Sequence, residues 1–255
     1  MTPGLLASRL LEAAGHVRAA FTTRHGGCSR GPYESLNLGH GVGDAPAAVA
    51  ENRRRLAGAL DTSLERLVEA EQVHGSAAAV VGPHAAGSVV PGVDAVVTRS
   101  PDVWLAVYSA DCAPVLVYDP AVPAVAAIHA GWRGMAAGIV PETLRLMREV
   151  FGTRPGRLWA AVGPAIGGCC YEVDAPVARA MERAPWWPEA ARPTGPDAWH
   201  LDLRQALRLQ LLAAGMALSQ IEVFSGCTKC RADLFFSYRR DHLTGRMAAC
   251  IRLCE

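Results

Sequence analysis

Lysine is almost missing. Lys229 is the only one, and arginine carries the rest of the 25 basic residues. Set against 24 acidic residues this leaves a formal net charge of +1, which gives no electrostatic footprint for nucleic acid or an anionic membrane. Charged residues are only 19% and aromatic ones 6%, whereas hydrophobic residues reach 51%, so a disordered chain is excluded. No apolar run approaches the roughly 20 residues of a transmembrane helix. The N-terminal stretch MTPGLLASRLLEAAGHVRAA is interrupted by Glu12, Gly15 and His16 and does not read as a signal peptide. The expected compartment is the cytoplasm. Eight cysteines in 255 residues fall short of disulfide-scaffold density, and in a reducing compartment they are expected as thiols or ligands. Internal repeats, heptads and low-complexity stretches are absent.

Apolar runs predict nine strands: VRAAFTT (17–23), DAVVT (94–98), VWLAVYS (103–109), PVLVYD (114–119), PAVAAIH (123–129), RLWAAVG (157–163), IEVFSG (221–226), LFFSYRR (234–240) and MAACIRL (247–253). Several are continuous rather than alternating, as in strands covered on both faces. Helices are expected over 45–60, 134–150, 174–183 and 202–214, the last opening at Asp202 and stopping at Gly215. APWWPEAARPTGPDA (184–198), with four prolines, reads as a surface loop. Hairpin-like strand pairs beside strand–helix alternations point to an α/β chain with a mixed sheet.

Three ligand-type side chains fall at the ends of such runs. EQVHG places His74 between a short helix and an apolar stretch, YSADC places Cys112 in the break between two strands, and AIHAGWRG places His129 at a strand end before a helix. Two histidines and a cysteine suit Zn²⁺, and three protein ligands leave a fourth position open. Spacing alone leaves open the alternative of separately packed histidines and a buried cysteine. Asp111 precedes Cys112 and is a candidate to orient a ligand histidine, to transfer a proton, or to cap its turn. Arg133, flanked by Gly131 and Gly134 at a helix start, suits an anion or a surface ion pair. The segment 21–39 carries Arg24, Ser29, Ser35 and Asn37 in a Gly/Pro loop, and Asn52 and Arg53 follow in the next helix. A loop of that length is functional or a plain irregular connection, and the ENRRRL charge run is equally a solvated helix face. Cys227, Cys230, Cys250 and Cys254 resemble a four-cysteine zinc knot. The adjacent Cys169 and Cys170 do not easily serve one tetrahedral metal together and are expected as ordinary thiols.

In order along the chain, FTTRHGGCSRGPYESLNLG, GVGD, ENRRRL, EQVHG, ADCAPVLVYDP, IHAGWRG, GPAIGGCCYEV, CTKC and FFSYRRDHLTGRMAACI closely resemble the laccase-domain family. That family is also called peptidoglycan editing factor or multifunctional purine nucleoside phosphorylase. The resemblance runs over residues 17–253 and implies a single domain over 1–255: a mixed β-sandwich flanked by helices, in α-β-β-α layers. It implies one zinc held by His74, Cys112 and His129, and phosphorolysis of adenosine, inosine and methylthioadenosine together with adenosine deamination and peptidoglycan-precursor proofreading. On that basis Asp111, Cys112 and His129 are expected to be catalytic, with Arg24, Asn37, Arg53 and Arg133 holding substrate or phosphate. The partners expected are purine nucleosides, phosphate and a possible peptidoglycan precursor, with neither nucleic acid nor membrane. Two other readings compete: an amidase with Cys112 as nucleophile and His129 as base, and a metal-containing interaction protein. The family's older label, copper polyphenol oxidase, conflicts with the chemistry. A multicopper site needs about ten histidine or cysteine ligands in paired motifs, and this chain has no His-X-His pair. Cys230 of CTKC has no firm counterpart in the family pattern.

Overall fold

Alternation decides the layers. In the strand Ala113–Asp119 (β8), Val115 and Val117 join one apolar cluster while Leu116 and Tyr118 join another. Ala126 and Ile128 against Val125 and Ala127 do the same in Ala124–Ala130 (β9). Each strand is buried along its whole length, because it has a layer on either face. The computed structural model describes residues 2–254.

Two six-stranded mixed sheets result. The first runs in the order β1 (Leu5–Ala7), β2 (Val17–Thr22), β15 (Met247–Leu253), β7 (Trp104–Ser109), β3 (Leu67–Ala70) and β5 (Val89–Val90). Its β1 to β7 neighbours are antiparallel, and β3 and β5 join in parallel. The second runs β14 (Ile221–Val223), β10 (Trp159–Val162), β8, β9, β6 (Ala95–Thr98) and β4 (Ala78–Val80), antiparallel in the middle and parallel at both edges. A small third sheet orders β11 (Glu172–Asp174), β13 (Ala198–Leu201) and β12 (Ala191–Gly195).

The two large sheets face each other across Phe21, Leu105, Val107 and Ile251 from the first and Leu116, Tyr118 and Val125 from the second. Helix α2 (Pro46–Ala59) covers the outer face of the first sheet through Leu56 and Ala57 against Trp104, Ala106 and Ala248. The outer face of the second is covered by α3 (Trp132–Ala136), α4 (Ile139–Phe151), α5 (Ala175–Met181), α6 (Trp187–Ala190) and α7 (Leu203–Ala213). The short α1 (Arg9–Ala13) and α8 (Tyr238–Asp241) complete the helices. This is the expected α-β-β-α sandwich. Its accessible surface is 10671 Å², against roughly 11,000 Å² expected of a compact chain of this mass. Among the described residues no helix is long and apolar enough to cross a membrane.

Four local expectations are corrected. LFFSYRR is not a strand: Phe235 and Phe236 are consecutive and both buried, so no alternation exists, and Ser237 caps α8 by accepting from Arg240 N–H. The helix expected over 134–150 is two helices, broken at Gly138, whose φ of +84° is left-handed. The segment 184–198 is no simple loop but holds α6, with Trp187 in the core, and β12. His74 follows β3 rather than a helix.

Candidate metal centre

His74, Cys112 and His129 converge. Their ligand atoms all lie within 4.8 Å of one another, and the two imidazoles meet edge to face with centroids 5.0 Å apart. The trio sits against the backbone of Gly131. A Cβ there would come within 2.9 Å of Cys112 Sγ and 3.3 Å of His74 Cδ2, so the close approach requires glycine.

One carboxylate organises two of the three. Asp94, fully buried just before β6, accepts from the backbone N–H groups of Val73 (3.1 Å), His74 (3.0 Å) and Gly75 (2.7 Å). This holds His74 in the left-handed region, at φ +60°, which costs a non-glycine residue about 1–2 kcal/mol. The same carboxylate lies 2.8 Å from His129 Nδ1. A carboxylate here only accepts, so Nδ1 carries the hydrogen and Nε2 is left to face a metal. The backbone repeats the tie, with His129 N–H donating to the Asp94 carbonyl at 2.7 Å. Burial alone would push the Asp94 carboxyl up, but the bonds from His129, Gly75 and Val73 hold it below the usual carboxylate range.

The donors suit a borderline-soft divalent ion. Burial would raise the Cys112 thiol, but His129 and His74 beside it bring it down to about 6. Burial would lower His129, but Cys112 and Asp94 raise it to about 9. At neutral pH the metal-free pair is therefore thiolate and imidazolium, and a bound cation takes the place of the imidazolium proton. The orienting role open to Asp111 thus belongs to Asp94, which sequence reading missed. Its one signal is an acid standing at the head of an otherwise apolar strand.

Asp111 has φ +93° and a buried carboxylate bonded into the fold. Oδ1 accepts from the Thr228 hydroxyl and Oδ2 from Arg239 N–H, both at 2.6 Å, and its carbonyl accepts from Ile166 N–H at 3.0 Å. Beside this turn opens a cleft of about 450 Å³ whose lining includes Trp132, Arg133, Tyr171, Asp197 and Arg239. The Arg133 guanidinium lies 4.3 Å over the Trp132 ring, and that of Arg239 lies 4.9 Å over Tyr171. Burial, then the charge of Cys112, pushes the Tyr171 phenol up, with Asp111 adding to it and Arg239 and Arg133 pulling it back. Arg246 is half-buried, and burial lowers it against the charges of Cys112 and Asp111. Tyr171 and Arg239, which line this cleft, and Arg246 are further candidate residues that the sequence did not single out.

Three other expected substrate residues are engaged elsewhere. Arg53 pairs with Glu69 in a buried ion pair and donates to the Tyr108 hydroxyl at 3.0 Å and the Leu38 carbonyl at 3.2 Å. Asn37 accepts from Gly39 and Arg246 N–H groups and donates to Asp44, so it fixes the backbone that carries Arg246. Arg24 donates to the carbonyls of Glu34 (2.7 Å) and Ala232 (3.0 Å) and lies over Phe236. Asn52 donates to Ser29, Ser35 and Asn37. Together they order the long loop 21–39.

The chain matches, over residues 18–254, a family described as multi-copper polyphenol oxidoreductase laccase, and it belongs to that family. Among its relatives is the purine nucleoside phosphorylase YlmD of Geobacillus stearothermophilus, 45% identical over 91% of this chain and 89% of that protein. Another is the purine nucleoside phosphorylase SCO2081 of Streptomyces coelicolor, 44% identical over 91% and 94%. The solved YfiH protein of Bacillus licheniformis superimposes with a TM-score of 0.94 at 36% identity, covering 99% of this chain and 97% of that one. The crystal structure of the Geobacillus YlmD gives 0.90 at 42% identity, covering 99% and 97%.

Proposed function

We propose that the chain is a zinc-dependent purine nucleoside phosphorylase, acting on adenosine, inosine and methylthioadenosine and deaminating adenosine at the same site, in the cytoplasm. The observation that carries this reading is the juxtaposition of the His74–Cys112–His129 trio with an arginine- and tyrosine-lined cleft. The relatives' names point the same way. His74, Cys112 and His129 would hold the zinc, which supplies a Lewis acid when bound. In phosphorolysis, phosphate attacks the anomeric carbon while the purine departs. Arg133 and Arg239, exposed in the cleft, and the half-buried Arg246 would hold the phosphate charge. The Trp132 and Tyr171 rings, each already stacked with a guanidinium, offer faces for a purine. Asp111 remains beside Cys112, and whether it transfers a proton or only positions this turn is separable by substitution. Two histidines and five thiols in two clusters do not make the paired-histidine centres of a multicopper oxidase.

The test is a chromatographic assay of purified protein with each nucleoside, with and without phosphate. Base release that needs phosphate, ammonia release from adenosine, and loss of both in Cys112→Ser and His129→Ala are expected. No phosphate-dependent base release from any of the three nucleosides would overturn the reading. One observation favours a second reading, the thiolate–imidazolium pair of Cys112 and His129, which is also the apparatus of a cysteine amidase acting on a peptidoglycan precursor. The metal separates them, because chelation abolishes phosphorolysis but frees the thiolate for amide hydrolysis.

A further inference from the structure

A second group of ligand atoms lies away from the trio. The sulfur atoms of Cys169, Cys170, Cys227 and Cys230 all fall within 4.8 Å of one another, and all four are free thiols. The topology brings them together. Strands β10 and β14 are parallel neighbours, so the loops that follow them leave the sheet at the same end. One loop carries Cys169 and Cys170, the other Cys227 and Cys230, and a bridge between Ala165 and Cys227 zips their starts. Cys170 and Tyr171 N–H groups both return to the Gly167 carbonyl, at 2.9 and 3.0 Å. This tight turn is what lets two adjacent cysteines aim at one point, an arrangement that adjacency in sequence does not easily give. The zinc knot that Cys227, Cys230, Cys250 and Cys254 resemble in sequence does not assemble, because Cys250 is buried within β15.

We propose that Cys169, Cys170, Cys227 and Cys230 bind one Zn²⁺ as a tetrathiolate site, distinct from the His74–Cys112–His129 centre. With zinc–sulfur bonds of about 2.3 Å, a tetrahedral site needs sulfurs about 3.8 Å apart. Cys230 Sγ lies 3.8 Å from that of Cys169 and 3.3 Å from that of Cys170. Cys227, the buried member, accepts from Gly167 N–H at 3.2 Å, a bond that supports a thiolate ligand. Arg204 reaches the same place, donating to the carbonyls of Phe224 and Gly226. A Cβ on Gly167 would meet its Nη2 at 2.9 Å, so a guanidinium stands beside the net negative charge of such a site. A disulfide would satisfy two of the four sulfurs, and a divalent ion satisfies all of them.

The site would staple two loops that both hold Asp111, through Ile166 N–H on one side and the Thr228 hydroxyl on the other. Its role is structural support of the turn that carries Cys112. Metal analysis tests it without any use of activity, so its outcome is independent of the proposed reaction. Protein purified without chelator should carry about two zinc ions per chain, with about one left in His74→Ala/His129→Ala and about one in Cys227→Ser/Cys230→Ser. After exchange to Co²⁺, the histidine variant should keep strong thiolate-to-cobalt absorption and tetrahedral d–d bands, and the cysteine variant should lose most of them. Should the cysteine variant fail to fold, the unaltered protein decides: the exposed Cys169 and Cys230 should resist iodoacetamide until zinc is removed. One zinc per chain in the unaltered protein that is kept in Cys227→Ser/Cys230→Ser would overturn the proposal. So would stoichiometric iron at these thiols, prompt alkylation of Cys169 and Cys230 in the zinc-loaded protein, or a Cys170–Cys230 disulfide in place of the second ion.

Discussion

Asp94 and Asp111 differ in what their carboxylates serve. Asp94 accepts from three consecutive amides and from His129. An asparagine cannot accept at both atoms, so Asp94→Asn leaves donors facing donors. Metal affinity at the trio should fall by about 10–100-fold, and folding stability by about 1.5–3 kcal/mol, measured by chelator competition and urea unfolding. Asp111→Asn is milder. Its amide nitrogen can donate to the Thr228 hydroxyl while its oxygen still accepts from Arg239 N–H. If Asp111 only positions the turn, turnover on adenosine stays near normal. A loss of about 10²–10⁴-fold with normal metal content would instead assign it proton transfer. Titration gives a third prediction. Between pH 6 and 9 the metal-free Cys112–His129 pair keeps one proton, which must leave before His129 can ligate. Zinc affinity at the trio should therefore rise about tenfold per pH unit across that window and flatten above it. Zinc titrations followed at the His74 and His129 ring resonances would check this, and a pH-independent affinity would contradict the pairing. Asp111 was legible as a neighbour of Cys112 in sequence. Asp94 was not, because only the antiparallel pairing of β6 with β9, Ala95 opposite Ile128, brings it to a histidine 35 residues away.

Among elements, the long and strongly patterned ones were legible and the short ones were not. Eight of the nine expected strands form, whereas β1, β3, β4, β5, β11, β12 and β13, two to five residues each, are held by neighbours rather than by their own pattern. Helix α7 shows a signal that did carry through. Asp202 accepts from Arg204 and Gln205 N–H groups at 3.0 and 3.1 Å, and Gly215 follows with φ +100°. Its second oxygen also reaches Gly168 N–H at 3.4 Å, in the loop of paired cysteines. Asp202→Ala should cost about 0.5–2 kcal/mol, seen as a lower urea midpoint. Replacement by serine should recover most of it, because a hydroxyl still caps the helix. Gly138 shows the reverse: a left-handed residue inside an apolar helical pattern divides α3 from α4, and helical periodicity does not register φ.

At the scale of the whole molecule, the metal trio sits where the chain changes sheets. His74 lies between β3 of the first sheet and β4 of the second, and Cys112 between β7 and β8. Asp94 lies on the crossing from β5 to β6, and His129 receives them from β9. That strands are covered on both faces could be read from their continuous apolar runs, and the layers themselves from the family resemblance. The crossings could not, since β15 inserts between β2 and β7 only when the last strand is laid down. An ion held by His74, Cys112 and His129 therefore fastens two segments that cross between the sheets to a strand of the second sheet, and it binds only the folded chain. Zinc at 100 to 1,000 times its dissociation constant adds about 2.7–4.1 kcal/mol to a chain whose unfolded state does not bind it. For a domain of this size that is roughly 5–16 °C in Tm. The shift is measured by calorimetry of chelator-treated protein before and after zinc is restored. Part of any shift comes from the four-thiol cluster, so the comparison that isolates the crossing is the same experiment in His74→Ala. That variant keeps Asp94, His129 and all eight cysteines but opens the centre. Its zinc-dependent shift should be smaller than that of the unaltered protein, and an equal shift would mean that the trio does not fasten the sheets.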